Sequence, residues 1–163
     1  MNSCALLHRD KLPRILARHR HLIDDAWPLT VTSYLNADRS RIFQALTVPE
    51  YIEAWFCLPG DTLRQASVSL IPNGFRIKRY IPVGPEFDVA GSYMLLRRSK
   101  MLFTWQRDIA RNDPTSFVFI RLEGEFTRTR IRLHHVGLKS VEEREWHQKM
   151  WETSLIRLSA LFK

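Results

Sequence analysis

The chain has 163 residues, of which 45% are hydrophobic and 26% charged, and it carries nine Phe and five Trp. That size and composition fit one globular domain with a sizeable core and argue against a disordered chain. Nineteen Arg against six Lys help to give a formal net charge of +8, which favours acidic partners without choosing among nucleic acid, anionic lipid and acidic protein.

No apolar run is long enough to read as a membrane-spanning helix. The N-terminus has no apolar stretch followed by a small-residue cleavage site, so no signal peptide is expected. Cys4 and Cys57 stand alone without CxxC spacing, which predicts two reduced thiols in a cytoplasmic protein rather than a disulfide or a metal site.

Residues 1–28 mix basic residues with Leu and Ile around Pro13. Leu12, Ile15, Leu16 and His19 fall at helical spacing, so the expectation is a basic N-terminal extension with a short helix after Pro13. From Leu29 the text changes. LTVTSYLNA (29–37) reads as a strand, and Asp38 is a suitable N-cap for SRIFQAL, where Ile42, Phe43 and Leu46 share a face. Thr47-Val48-Pro49-Glu50 has the form of a capping box ahead of a second short helix, EYIEAWF, which should stop before Pro59-Gly60-Asp61.

Strands follow. LRQASVSLI (63–71) and FRIKRYI (75–81) flank Pro72-Asn73-Gly74, a hairpin signal because Asn-Gly tolerates positive φ. VAGSYMLLRR (89–98) and MLFTWQR (101–107) make a second pair, and SFVFIRLEGE (116–125) and FTRTRIRLHHV (126–136) a third. Short, hairpin-connected strands predict one antiparallel sheet. Ser140-Val141-Glu142-Glu143 is a second capping box, and Trp151, Leu155, Leu158 and Phe162 then form a continuous apolar stripe. Only the sheet can cover that stripe. The expected class is therefore α+β, with the last helix packed on an antiparallel sheet.

Several stretches resemble a known family. ADRSRIFQALTVPEYIEAWF (37–56), VAGSYMLL with MLFTW (89–105), TRIRLHHVGL (129–138) and the Trp151…Leu155…Leu158 stripe are similar, in order, to the START-like superfamily branch named for the heat-shock-protein 90 ATPase activator. The resemblance covers about residues 29–163 and leaves residues 1–28 outside. It implies the helix-grip fold, a curved sheet gripping the C-terminal helix, often with an apolar cavity between them. The superfamily includes lipid carriers, hormone receptors, cyclases and co-chaperones, so the fold does not fix the function. Two departures stand out: the turn Arg97-Arg98-Ser99-Lys100 is positive where the family usually has acidic and proline residues, and the two-glycine entry to the third strand is reduced to Asn73-Gly74.

The histidine doublet divides by strand alternation. Thr129, Ile131, Leu133 and His135 share one face, and Arg130, Arg132 and His134 the other. An inward His135 and an outward His134 cannot chelate one metal, so no metal site is expected. His135 reads either as a general base or ligand-orienting donor, or as a core histidine bonded to backbone or to the terminal helix. Trp55, Tyr93, Trp105 and Trp151 either line an apolar pocket or form ordinary core. Phe103, Trp105 and Arg107 share one strand face, and Phe117, Phe119, Arg121 and Glu123 another. If either face lines the cavity, Arg107 or Arg121 could pair with an acidic ligand group; otherwise both are solvated. Trp146 is expected at the exposed start of the helix.

Arg76, Lys78, Arg97, Arg98, Lys100, Arg130 and Arg132 make either a basic face or dispersed solvated charge, and no RNP-like motif accompanies them, which disfavours nucleic acid. There is no Gly-rich phosphate loop, GxSxG elbow, HExxH or activated cysteine, so no catalytic set and no cofactor is assigned.

The leading expectation is a START-like domain holding a small hydrophobic or amphipathic ligand between sheet and terminal helix. Trp55, Tyr93, Trp105 and Trp151 would pack against it, and His135 would supply one polar contact. The alternatives are a co-chaperone-like protein-interaction module and a cyclase-type enzyme with His135 as base.

Overall fold

The computed structural model describes residues 27–58, 66–79, 87–107 and 115–163. The helix expected after Pro13, Cys4 and the Pro59-Gly60-Asp61 stop lie outside the described residues.

Strand β1 (Leu29–Leu35) alternates as its sequence demands, with Leu29, Val31 and Leu35 buried and Thr30, Thr32 and Tyr34 outward. Asp38 then caps α1 (Arg39–Thr47): its carboxylate accepts the backbone N–H groups of Ser40 at 2.9 Å and Arg41 at 3.1 Å. These are donors that the first helical turn cannot satisfy itself. Helix α2 (Pro49–Trp55) begins on proline, where the missing N–H costs nothing. The capping box expected at Thr47 does not form. Thr47 is still the last residue of α1, and its hydroxyl donates to the carbonyl of Phe43 at 2.8 Å, so Val48 takes the cap position without a side-chain bond.

The strands β2 (Ala66–Ile71), β3 (Gly74–Arg79), β4 (Phe87–Arg97), β5 (Lys100–Arg107), β6 (Ser116–Glu125) and β7 (Arg128–Val136) complete one seven-stranded sheet. Its order is β1-β7-β6-β5-β4-β3-β2, antiparallel throughout. Successive strands pair as hairpins. The exception is β1, which runs along the far edge beside β7, so that α1 and α2 cross the sheet on their way to β2. Asn73 turns the first hairpin at φ 56°, the conformation expected of that residue. At Gly91 of β4 the ring of Phe75 lies across the backbone, and a Cβ there would come within 2.4 Å of the ring. The glycine is what admits Phe75 to the sheet's inner face.

Helix α3 (Val141–Ala160) starts at Ser140, whose hydroxyl accepts from the backbone N–H of Glu143 at 3.1 Å. The reciprocal half of the box is shifted by one residue, because the Glu143 carboxylate takes the N–H of Lys139 rather than that of Ser140. The helix buries His147, Met150, Trp151, Ser154, Leu155 and Leu158. Full burial of a leucine such as Leu158 contributes about 2 kcal/mol. Phe162 lies past the helix end, half-buried, with the guanidinium of Arg41 5.4 Å from its ring.

The side chains under α3 come from alternate positions of three strands: Met101, Phe103 and Trp105; Val118, Ile120 and Leu122; Ile131, Leu133 and His135. The opposite face carries a smaller cluster of Leu102, Phe119 and Val136. No described helix is long and apolar enough to cross a membrane.

Candidate functional site

An apolar cavity of about 30 Å³ lies between the sheet and the helices. Leu46 of α1, Ile52 and Trp55 of α2 and the following Phe56 form one wall, and Trp151 of α3 closes it. Phe75, Ile77, Tyr93, Met101, Phe103, Trp105 and Ile120 form the sheet side. The space matches two or three water-sized groups, since a single water needs roughly 10–15 Å³ by this measure.

The wall presents carbon, and two of its indole N–H groups are bonded elsewhere. The Trp55 indole N–H donates to the carbonyl of Ala45 at 2.7 Å, and that of Trp151 to His135 at 3.1 Å. Burial pushes the Tyr93 phenol up to about 12, so the hydroxyl stays protonated at neutral pH. The rings are mutually packed, with Trp105 and Trp151 centroids 5.0 Å apart and Phe75 edge-on to Phe103 at 5.3 Å. Four of the five side chains singled out in the sequence, Trp55, Tyr93, Trp105 and Trp151, meet in this wall.

His135 stands behind the wall, fully buried and outside the lining. Its surroundings assign its tautomer. An indole N–H only donates, so Nδ1 of His135 accepts from Trp151 and carries no proton. Nε2 therefore holds the proton and donates to Ser116 Oγ at 2.7 Å, and Ser116 in turn donates to the carbonyl of Trp105 at 3.1 Å. Burial, reinforced by the neighbouring His147, holds the imidazole well below its ordinary pKa and keeps it neutral. Both nitrogens are committed, and no lone pair remains free to abstract a proton.

His134 points the other way, as alternation requires. Its Nδ1 lies 2.9 Å from Thr30 Oγ1, and its ring is stacked at 15° on Phe119. The two neighbours cannot share a ligand. Among the described residues no three His, Cys, Asp or Glu side chains gather as a metal site would require.

A second, polar pocket of about 20 Å³ adjoins the first through Trp105, which lines both. Arg107, Ser116, Gly137, Leu138, Lys139, Glu143 and His147 complete it. Gly137 turns the chain at φ 87°, a conformation that favours glycine. Arg107 sits over Trp146 at 4.3 Å, so that half-buried tryptophan is covered by a cation and not simply exposed. Arg121 belongs to the outer face, 3.2 Å from Glu123, and does not reach either pocket. Glu123 also pairs with Arg130, which leads the causes holding its carboxyl below the usual range. On the same principle Arg76 pairs with Asp88. Arg97, Arg98 and Lys100 are exposed at the β4–β5 turn.

His147, Ser116 and Ser154 are the polar residues of this interior that sequence reasoning passed over. Ser154 receives the Cys57 N–H at 3.2 Å and donates to the Cys57 carbonyl at 3.1 Å, tying the end of α2 to α3.

The order of elements, the grip of the sheet on α3 and the apolar space between them define a helix-grip α+β domain. Residues 36–163 match the model of the family described as activator of Hsp90 ATPase homolog 1-like protein, and the chain belongs to that family. Solved structures agree on the fold. Protein CV1439 from Chromobacterium violaceum is 17% identical with a TM-score of 0.69, the match covering 83% of this chain and 96% of that one. Protein NE0264 from Nitrosomonas europaea is 20% identical with a TM-score of 0.64, over 85% and 96%. The Aha1 dimer from Colwellia psychrerythraea is 18% identical with a TM-score of 0.59, over 83% and 95%. No curated protein matches the chain.

Proposed function

We propose that the domain binds a small hydrophobic or amphipathic ligand in the apolar cavity between sheet and helices. The observation that carries this reading is the wall itself: twelve apolar or aromatic side chains from the sheet and all three described helices converge on one space, the composition by which ligand cavities hold apolar groups. Trp55, Tyr93, Trp105 and Trp151 pack against the ligand. His135 is a positioning residue, acting through its bond to the Trp151 indole. The present space admits only a small group, so a longer ligand enters by displacing the wall, and the seven-residue helix α2 with Trp55 is its shortest helical element. The Cys57 thiol, buried and 3.7 Å from Ser154 Oγ, is in keeping with a reducing, cytoplasmic setting. Native mass spectrometry of the protein incubated with a bacterial lipid extract tests the reading. A retained small-molecule adduct, lost on unfolding, is expected; absence of any adduct overturns it.

A protein-interaction role is favoured by one different observation, the positive turn Arg97-Arg98-Ser99-Lys100 exposed at the end of a hairpin. The family is named for an activator of a chaperone ATPase, and an acidic surface on such a chaperone would complement this turn. The reading expects capture of a chaperone and stimulation of its ATPase, both abolished by Arg97→Glu with Arg98→Glu and unaffected by filling the cavity.

A further inference from the structure

Two residues that line the polar pocket, their ring centroids 6.5 Å apart, each carry a buried nitrogen with no hydrogen-bond partner among the described residues: Nε1 of Trp105 and Nε2 of His147. Both side chains are only 2% exposed. Their chemistry is complementary. The indole nitrogen can only donate. The other ring nitrogen of His147, Nδ1, lies 2.7 Å from the carbonyl of Glu143, which can only accept, so Nδ1 carries the proton. The neutral ring then presents a lone pair at Nε2. Burial pushes this histidine down to about 4, in keeping with the neutral form.

An occupant that satisfies both nitrogens must accept one hydrogen bond and donate another. A carboxylate, a phosphate diester or an ether oxygen only accepts, and an ammonium only donates. A hydroxyl does both through one oxygen, and about 20 Å³ leaves room for it and little more. The Glu143 carboxylate, also in the wall, is bonded to the N–H of Lys139 at 2.8 Å. We propose that this pocket binds a ligand hydroxyl, whose oxygen accepts from Trp105 and whose hydrogen is donated to His147. Solvent water offers the same group, and an alcohol takes its place. This site adjoins the apolar cavity across Trp105, and the His147 signal, from a residue that lines only the polar pocket, separates the two in the test.

The probes are methanol and ethanol, with acetonitrile as an acceptor that cannot donate. They are titrated into ¹⁵N-labelled protein while the Trp105 indole and His147 Nε2 resonances are followed. Both alcohols should shift the two signals saturably, and a nuclear Overhauser effect from the carbon-bound hydrogens of the alcohol to the Trp105 indole N–H should appear. Acetonitrile should give no saturating shift, and His147→Phe should abolish the response to the alcohols. The solvent series on the unmodified protein is decisive even if that variant does not fold. Equal, non-saturating drift with all three solvents overturns the proposal. Absence of that carbon-bound-hydrogen contact at the highest alcohol concentration also overturns it, assigning the pocket to structural water.

Discussion

The indole N–H of Trp151 donates to Nδ1 of His135 at 3.1 Å, across the contact between α3 and the sheet. That bond starts a directed chain through Ser116 to the carbonyl of Trp105, linking the terminal helix to β7, β6 and β5 in one run of satisfied donors and acceptors. It also fixes the face of the Trp151 ring that closes the apolar cavity.

Trp151→Phe keeps an aromatic ring but leaves the His135 lone pair buried and unmet. Denaturant unfolding should show a loss of about 1–3 kcal/mol. Ser116→Ala should cost a similar amount, because it strips the acceptor from the other nitrogen. The double variant should cost less than the sum, since the two bonds share one imidazole. Strict additivity would contradict the chain.

The two buried histidines set a pH dependence. Both have pKa values lowered in the folded protein, His147 to about 4 and His135 well below its ordinary value. The unfolded chain binds their protons near 6.5, so their stabilising contribution is present above that pH and is lost as pH falls toward the folded values. Each adds a slope of up to about 1.4 kcal/mol per pH unit. Between pH 7 and 5 urea unfolding should lose on the order of 2 kcal/mol through His147, with His135 adding to the loss in the same direction. Asp88 and Glu123, whose pKa values are lowered by arginine partners, act in a separate window: their contribution is present above about 4 and lost below it. A flat profile between pH 7 and 5 would count against neutral burial of both imidazoles.

Gly91→Ala forces a methyl group to within 2.4 Å of both the Phe75 ring and the carbonyl oxygen of Thr104. Phe75 must then leave its place against Tyr93 and Phe103. Overpacking of this kind costs about 1–3 kcal/mol. Near-ultraviolet circular dichroism should weaken as the melting temperature falls. An unchanged spectrum would mean that the ring has another place to go.

Period-two alternation made the doublet legible: burial of Ile131 and Leu133 forces His135 inward and His134 outward. The partners of His135 were not legible. Ser116 reaches it only because β6 and β7 pair Phe117 with Val136 and Val118 with His135, a register that exists only in the folded sheet. His147 was available in principle. It lies four residues before Trp151 on the same helical face, but the apolar stripe was read from hydrophobic residues alone. Alternation along β6 put Phe117, Phe119 and Arg121 on one face but left open whether that face lines the cavity; the core side is Val118, Ile120 and Leu122. Phe119 instead joins Leu102 and Val136 on the outer surface of the sheet. At Thr47 the sequence matched a cap, but the end of α1 claimed the hydroxyl first.

The central claim is that the space bounded by Trp105, Trp151, Met101 and Ile120 accepts an apolar guest. Titration of benzene, which is larger than the present space and enters as the α2 wall with Trp55 gives way, into protein labelled with ¹³C at its Met and Ile methyl groups tests it most directly. The Met101 and Ile120 methyl signals should move saturably, and Ile77→Phe, which fills the wall from β3, should abolish the movement while the fold persists. No saturable shift in the unmodified protein, or the same shift in the filled variant, would contradict the account.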